Sequence, residues 1–238
     1  MTGGHRVAGL DGCRGGWFCV LADGEIGSPG WFLAPTFAAA LARLESCTIV
    51  GVDIPIGLPE RGARDCDQAA RQRLGPRRRA SVFPAPPRAL LGAADYPDAC
   101  ARAVAVAGKC ISLQTFNILP KIEEVDRVLA RSPWAALIVR EVHPELAFAT
   151  LNDNRPIAAS KRSPAGFAER RALLQAAVGS APIEAALAEY PRKLVARDDV
   201  LDAFAVMVAA ARIAAGRGRR VPAEPVRDAA GLEMAIWF

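Results

Sequence analysis

The sequence predicts an α/β fold in which helices flank a mixed β-sheet, and three stretches support this prediction. Residues 7–21 form two apolar runs joined by a glycine-rich turn, which is typical of a β-hairpin. Residues 48–59 begin with a continuous β-branched run, which is typical of a strand covered on both faces. Residues 195–211 have helical character and are apolar on every side after Asp202, so we expect a helix buried against the sheet.

The composition limits the class of protein. The chain has 238 residues, 52% of them hydrophobic, and can therefore bury a sizeable core. No apolar run approaches the roughly 18 to 20 residues of a membrane span, and residues 1–6 carry no signal-peptide pattern. We therefore expect a cytoplasmic protein without a membrane partner.

Cysteine usage and net charge add two further expectations. The six cysteines are scattered without a CxxC pair, which favours reduced thiols over a disulfide framework or a zinc site. The net charge of +5 is compatible with a polyanionic partner but does not identify one.

The hairpin carries the first candidate site residue, Asp11, which we place at the end of a strand. Its charge is costly among apolar neighbours unless a cation or several hydrogen-bond donors compensate it. The alternative is that Asp11 caps the turn that follows, as aspartate often does before glycine.

The next elements bring a second acid to a strand end. A third strand is predicted over 25–33, followed by a short helix over 36–44 with Thr36 as N-cap. The buried strand then ends at Asp53, because the prolines that follow prevent it from continuing. Asp11 and Asp53 would then lie at the ends of neighbouring strands.

Residues 60–88 are rich in arginine and end in a proline-rich stretch. In the functional interpretation they form a loop that holds phosphates, because guanidinium groups pair with phosphates through two hydrogen bonds. The alternative is a solvated helix face that runs into a proline-rich connector. The arginines that we regard as candidates for substrate binding, including one in the hairpin turn, are Arg14, Arg77, Arg78, Arg79 and Arg88.

Helices are predicted over 96–106 and 111–129. The second helix carries Lys121, which either contacts substrate or pairs with Glu124 on the helix surface. A further strand is predicted over 134–142, and Glu141, His143 and Glu145 stand at its end. His143 would suit a base or a ligand, although a single histidine more often has a structural role.

The last helix opens with Asp199 and Asp202, which share one face of its first turn. Helix capping and the helix dipole explain one acid at this place. A pair of acids at the buried end of a helix indicates a bound cation. After a basic turn over 217–220, the apolar end of the chain returns as a strand or packs over the core.

Together, four acids arrive from two strands and one helix: Asp11, Asp53, Asp199 and Asp202. Divalent Mg²⁺ and Mn²⁺ prefer oxygen ligands. Two such ions about 3.5 to 4 Å apart can activate water and stabilise the leaving oxygen in phosphodiester hydrolysis. The acids therefore predict a two-metal carboxylate site that needs no serine or cysteine nucleophile.

Five motifs carry a resemblance to a known family. They are Gly9–Gly12, Val52–Pro59, Arg79–Pro84, Glu141–Glu145 and Asp199–Ala203. Together they resemble the family called domain of unknown function 429, described as predicted RNase H-like nucleases. Within the RNase H-like superfamily, the arrangement is most similar to the Holliday-junction-resolvase type.

The resemblance implies one RNase H-like domain over 1–238. It would contain a mixed five-stranded sheet of order 32145 flanked by helices, with an arginine- and proline-rich and helical insertion at about 60–133, after the fourth strand. It also implies a metal-dependent nuclease site at the four aspartates, to which Glu141 or Glu145 adds a carboxylate. The nucleic acid could be DNA or RNA, and the sequence leaves open whether the protein forms a homodimer.

Two other functions remain open from the sequence. A nucleotide-binding phosphotransferase or ATPase of the actin-like fold begins with a similar hairpin, but the chain shows no second aspartate-glycine phosphate loop and is short for two duplicated halves. A non-catalytic nucleic-acid-binding protein would use residues 60–88 as its surface. Side chains of the four acids that point apart would favour this second alternative.

Overall fold

The computed structural model describes residues 5–24, 26 and 28–238. Its centre is a five-stranded sheet with the order β3-β2-β1-β4-β5. The strands are β1 (Arg6–Cys13), β2 (Gly16–Asp23), β3 (Gly30–Ala34), β4 (Cys47–Val52) and β5 (Val139–Glu141). The α/β class and the strand order 32145 are therefore confirmed.

The sheet is mixed, and its parallel half sets the place of the site. β1, β2 and β3 form an antiparallel meander, whereas β4 runs parallel to both β1 and β5. Leu10 on β1 pairs with Val52 on β4, and the amide of Asp53 donates to the carbonyl of Leu10 at 3.0 Å. The next residue after each of the paired positions is an aspartate, so Asp11 and Asp53 lie side by side.

The helices that flank the sheet are numbered in chain order. They are α1 (Phe37–Ala42), α2 (Asp65–Arg78), α3 (Tyr96–Ala107), α4 (Leu113–Arg131), α5 (Pro133–Ile138), α6 (Pro144–Leu151), α7 (Pro164–Val178), α8 (Ser180–Glu189) and α9 (Arg197–Ala214). Two short strands near the C-terminus, β6 (Arg220–Val221) and β7 (Ile236–Trp237), pair with each other. The apolar end of the chain thus returns as a strand, and Trp237 also bridges to Val142 beside β5.

Alternation along β1 divides the core into two layers, as expected for a strand with both faces covered. Val7 and Cys13 belong to the layer that contains most of α9, while Ala8 and Leu10 belong to the layer that contains α1 and part of α4. Asp11 shares its side of the strand with Val7 and Cys13 and therefore faces α9.

The helix α9 crosses directly over β1 because Gly9 has no side chain. A Cβ atom at Gly9 would lie 2.4 Å from the carbonyl oxygen of Ala203 and 2.1 Å from the backbone nitrogen of Met207. Since Asp202 precedes Ala203, this close approach brings the first turns of α9 to the aspartates on the sheet.

Several predicted boundaries were wrong. The strand predicted over 134–142 is α5 up to Ile138, because Ser132 caps that helix, and only Val139–Glu141 form a strand. β3 begins at Gly30 rather than at 25, and Glu25 and Gly27, like the first four residues of the chain, lie outside the described residues. Asp11 lies inside β1, which continues to Cys13.

The expectation that all six cysteines are reduced was also wrong. Cys100 and Cys110 form a disulfide, while Cys13, Cys19, Cys47 and Cys66 are free and buried. Gly108 ends α3 in the left-handed conformation, so the chain turns back and the Cα atoms of the pair lie 4.5 Å apart.

The arginine-rich segment is neither wholly a loop nor wholly a helix. α2 covers 65–78 with one buried face, and two short 3₁₀ helices and a proline-rich stretch follow it. In the described part of the chain, no helix has both the length and the apolar character needed to cross a membrane.

Candidate metal centre

Three aspartates meet at the carboxyl end of the parallel strands. Asp11 comes from β1, Asp53 directly follows β4, and Asp202 lies in the second turn of α9. One carboxylate oxygen from each residue can be chosen so that all three lie within 4.8 Å of one another. Asp11 and Asp202 are buried, and Asp53 is half-buried. We call these three residues the aspartate cluster, and their geometry allows them to hold one metal ion.

The electrostatics of the aspartate cluster favour a bound cation. Burial raises the pKa of the Asp11 carboxyl well above its usual range, and the charges of Asp53, Asp199 and Asp202 raise it further. Burial also raises the pKa of Asp53, to which the charge of Asp202 adds. A cation between these groups would favour their ionised forms, because opposite charge counteracts both effects.

Asp202 connects the aspartate cluster to a lysine that we did not select from the sequence. Nζ of Lys161 donates to Oδ2 of Asp202 at 2.6 Å and lies 3.6 Å from Oδ2 of Asp198. Burial alone would lower the pKa of Lys161, but the charges of Asp202 and Asp11 raise it above its ordinary value. The lysine is therefore positively charged at neutral pH.

The second oxygen of Asp202, Oδ1, is buried and has no hydrogen-bond partner among the described residues. The residue as a whole is only 2% exposed. A buried carboxylate oxygen without a partner is costly, because it has lost its water without gaining a donor. An ion at the aspartate cluster would supply the missing partner.

Asp199 has a different role from Asp202. Its Oδ2 accepts a hydrogen bond from the amide of Ala196 at 3.0 Å and so helps to cap α9. The side chain is half-buried, and burial raises its pKa to about 6. Asp199 lines the same cleft as the aspartate cluster, but its carboxylate is already used in part by the helix end.

Glu141 is neutralised by a buried arginine. Arg64 contacts Glu141 at 2.7 Å and Asp67 at 2.5 Å. Burial raises the pKa of Glu141, and the charge of Arg64 opposes this rise. Glu141 also accepts the amide of Ile56 at 2.7 Å. It therefore braces the segment that follows Asp53.

Glu145 is held by two arginines. Arg170 donates to both of its oxygens, with the closest contact at 2.7 Å, and Arg78 contacts it at 2.8 Å. The glutamate and Arg170 are both almost fully buried. Glu145 thus links α6 to α7 and α2.

His143 is fixed by hydrogen bonds at both ring nitrogens. Its Nδ1 accepts from the amide of Glu145, and its Nε2 lies 3.2 Å from the carbonyl of Ser81. A carbonyl can only accept, so Nε2 carries the proton. Burial lowers the pKa of His143. The ring is a neutral N-cap of α6 at the edge of the cleft.

The aspartate cluster opens into a cleft of about 730 Å³. Of the arginines predicted to bind substrate, Arg77 and Arg78 line it, and so does Lys121. Lys121 does not pair with Glu124 as we considered; its Nζ donates to the carbonyl of Gly16 at 2.7 Å and lies over the Trp17 ring.

The other three arginines lie elsewhere. Arg14 is exposed in the turn between β1 and β2, and Arg79 is exposed beside α2, where it lines a separate pocket. Arg88 donates to Asp126 at 2.8 Å and pairs with Asp228. The structure does not bring these three side chains into the cleft.

The family model of the protein of unknown function DUF429 matches residues 9–227, which is most of the chain. The chain belongs to the DUF429 family. Comparisons with curated proteins and with solved structures gave no significant match. All three members of the aspartate cluster lie within the part of the chain that the DUF429 model covers.

Sequence reasoning missed several residues that shape this DUF429 site. Lys161 stands between α6 and α7, outside any helix or strand, and its partner Asp202 is 41 residues away. Arg64 and Arg170 are buried, and their partners Glu141 and Glu145 are 77 and 25 residues away. No periodicity or motif identifies such contacts. The one available signal was the unbalanced negative charge of the acids, which requires nearby cations.

Proposed function

We propose that this DUF429 protein is a nuclease that uses Mg²⁺ or Mn²⁺ to hydrolyse phosphodiester bonds in a nucleic acid. The observation that carries the proposal is the convergence of Asp11, Asp53 and Asp202, together with the unpartnered Oδ1 of Asp202. Three hard oxygen donors suit these two ions better than softer metals. When bound, such an ion supplies Lewis-acid activation of water and stabilisation of the leaving oxygen.

The surrounding residues hold the aspartates in place. The parallel pairing of β1 with β4 places Asp11 next to Asp53, and the hydrogen bond from Ile56 to Glu141 fixes the segment after Asp53. The contact of Gly9 with α9 places Asp202. Each ligand is therefore carried by a packed element, which keeps the geometry of a metal site constant.

The walls of the cleft suit a nucleic acid. Arg77 and Arg162 are exposed on it, and neither side chain forms an ion pair with another described residue. Both are therefore available to bind phosphates. Phe83 also lines the cleft and is 44% exposed. An exposed aromatic ring beside free arginines offers a surface on which a base can stack.

The same geometry argues against a protein that binds nucleic acid without cleaving it. In such a protein the aspartates would have no reason to converge, because close carboxylates repel both one another and the phosphates of the ligand. Here they converge within 4.8 Å, and Oδ1 of Asp202 has no hydrogen-bond partner among the described residues.

The proposal is tested by incubating the protein with labelled single-stranded, duplex, hybrid and branched nucleic acids in Mg²⁺, Mn²⁺ or EDTA. We expect cleavage that requires metal and that falls at least about a hundredfold in Asp11→Asn and Asp202→Asn, since each change removes a ligand. Asp23→Asn is the matched control, because Asp23 lies on the neighbouring strand and, among the described residues, forms an ion pair with Arg6 alone, at the surface.

Cleavage that persists in EDTA, or that Asp11→Asn retains, would contradict the proposed site. Failure to cleave any of the four substrates, with ATP turnover instead, would favour the phosphotransferase or ATPase alternative. Tight binding without cleavage in either metal would favour the non-catalytic alternative.

A further inference from the structure

Lys161 brings a positive charge into direct contact with the aspartate cluster. Its Nζ lies 2.6 Å from Oδ2 of Asp202 and 3.6 Å from Oδ2 of Asp198. Among the described residues, no other lysine or arginine forms an ion pair with a member of the aspartate cluster. The ammonium group is therefore the protein's own positive charge at this site.

We infer that Lys161 takes the place of a second metal ion, so that the aspartate cluster binds a single divalent cation. This inference rests on the metal site of the proposed function and differs from the two-ion site expected from the sequence.

The two oxygens of Asp202 have different surroundings. Oδ2 accepts from Lys161, whereas Oδ1 is buried without a partner. A carboxylate that bridges two ions with one oxygen on each needs both of its oxygens. Here one oxygen is occupied by the ammonium, so only Oδ1 remains for a metal.

The charges of the other acids near the cleft are balanced by arginines. Arg64 contacts both Asp67 and Glu141. In a second group, Arg78 and Arg170 both contact Glu145. Taken together, the two groups carry no net charge, so the aspartate cluster must be neutralised separately.

The aspartate cluster has three negative charges, and Lys161 contributes one positive charge. One divalent ion then completes the balance, whereas two would leave an excess of positive charge in a poorly hydrated site. The two further acids nearby are less suited to balance that excess. Asp199 is used by the cap of α9, and Asp198 lies outside the aspartate cluster, 3.6 Å from the Lys161 ammonium against 2.6 Å for Asp202.

The stoichiometry of Mn²⁺ binding tests this inference without any substrate. Free Mn²⁺ is counted by electron paramagnetic resonance during titration of the full chain. We expect one tightly bound ion per chain in the wild type and in Lys161→Arg, which keeps the charge. Lys161→Met removes the charge at similar size, and we expect it to bind two ions, with the spectrum of a magnetically coupled pair.

Lys121→Met is the matched control, because Lys121 lines the same cleft but donates to the carbonyl of Gly16 rather than to an acid. It should bind one ion. If Lys161→Met fails to fold, two bound ions in the wild type or in Lys161→Arg would still overturn the inference.

Each other result has a separate meaning. Two ions in the wild type, or one ion in a folded Lys161→Met, would overturn the role of Lys161 while the metal site stands. Failure of every protein to bind Mn²⁺ would overturn the metal site of the proposed function and this inference with it.

Discussion

His143 has a protonation state that its two hydrogen bonds determine. Nδ1 must be free of a proton to accept from the amide of Glu145, and Nε2 must carry one to donate to Ser81. A second proton, on Nδ1, would point at the N–H group of Glu145, and the half-buried ring would carry a charge. Burial is the main reason that the pKa of His143 is lowered.

This lowered pKa predicts a loss of stability in mild acid. The unfolded chain takes up the proton near pH 6.5, whereas the folded chain does so only at lower pH. The contribution of the neutral His143 ring to the free energy of unfolding is therefore complete above about pH 6.5, and it is lost as the pH falls towards the folded pKa. Between pH 7.5 and 5.5, the free energy of unfolding should fall more in the wild type than in His143→Asn, by at most about 1.4 kcal/mol, the limit that the unfolded pKa sets.

Asparagine suits this comparison because it can still cap α6 and does not titrate. The measurement is urea unfolding of both proteins at the two pH values. His5→Asn is the control, because His5 is exposed, and it should behave like the wild type. Equal losses in wild type and His143→Asn would show that the ring does not remain neutral in the fold.

At the scale of elements, the contact between α9 and β1 sets the distance between Asp11 and Asp202. Gly9 permits this contact, since a Cβ there would meet backbone atoms of Ala203 and Met207, which cannot move independently of the helix. The site geometry therefore depends on a residue that carries no functional group.

Gly9→Ala should push α9 away from the sheet. We expect a loss of about 3 kcal/mol in the free energy of unfolding, at the upper end of the usual cost of overpacking. Mn²⁺ binding should weaken by roughly tenfold or more, because the ligand from α9 is displaced from those on the strands. Urea unfolding and Mn²⁺ titration measure the two effects.

Gly30→Ala is the matched control on β3, where, within the described part of the chain, the added Cβ would meet only a Leu21 methyl group at 3.7 Å. It should change neither quantity appreciably. If Gly9→Ala were as stable as Gly30→Ala and bound Mn²⁺ normally, the close packing of α9 would not be what positions Asp202.

The elements themselves differ in how far the sequence could predict them. The hairpin and the buried strand β4 were predictable because their apolar patterns match a strand on one or both faces. The run over 134–142 was not, because a short apolar run fits a buried helix as well as a strand. Its first half follows the cap at Ser132 and becomes α5.

At the scale of the whole molecule, the same contrast applies to the site. Asp11 and Asp53 could be placed together from the sequence, because both stand near the carboxyl ends of strands that a parallel sheet brings to one edge. Lys161 could not be placed in the site from the sequence, since it lies 41 residues from Asp202 in a segment without hydrophobic periodicity. Contacts of this kind depend on the complete topology.

The aspartate cluster also affects the stability of the molecule as a whole. Without a cation, Asp11 and Asp53 repel each other, and burial disfavours the ionised form of both. Asp53→Asn removes one of these charges and should raise the melting temperature in EDTA. Stability and metal binding are therefore expected to oppose each other at this site.

Metal binding should make the wild type more stable than Asp53→Asn. At free Mn²⁺ about a hundredfold above its dissociation constant, the wild type should gain about 2.7 kcal/mol. For a chain of this size, that corresponds to a rise of roughly 5 to 10 °C in melting temperature. Asp53→Asn should show little or no rise, whereas Asp23→Asn, which alters only a surface pair, should respond like the wild type. A thermal scan of the three proteins in EDTA and in Mn²⁺ gives both comparisons.

An equal rise in melting temperature in Asp53→Asn and in the wild type would mean that the ion binds elsewhere. A lower melting temperature of Asp53→Asn in EDTA would mean that the carboxylate stabilises the metal-free fold.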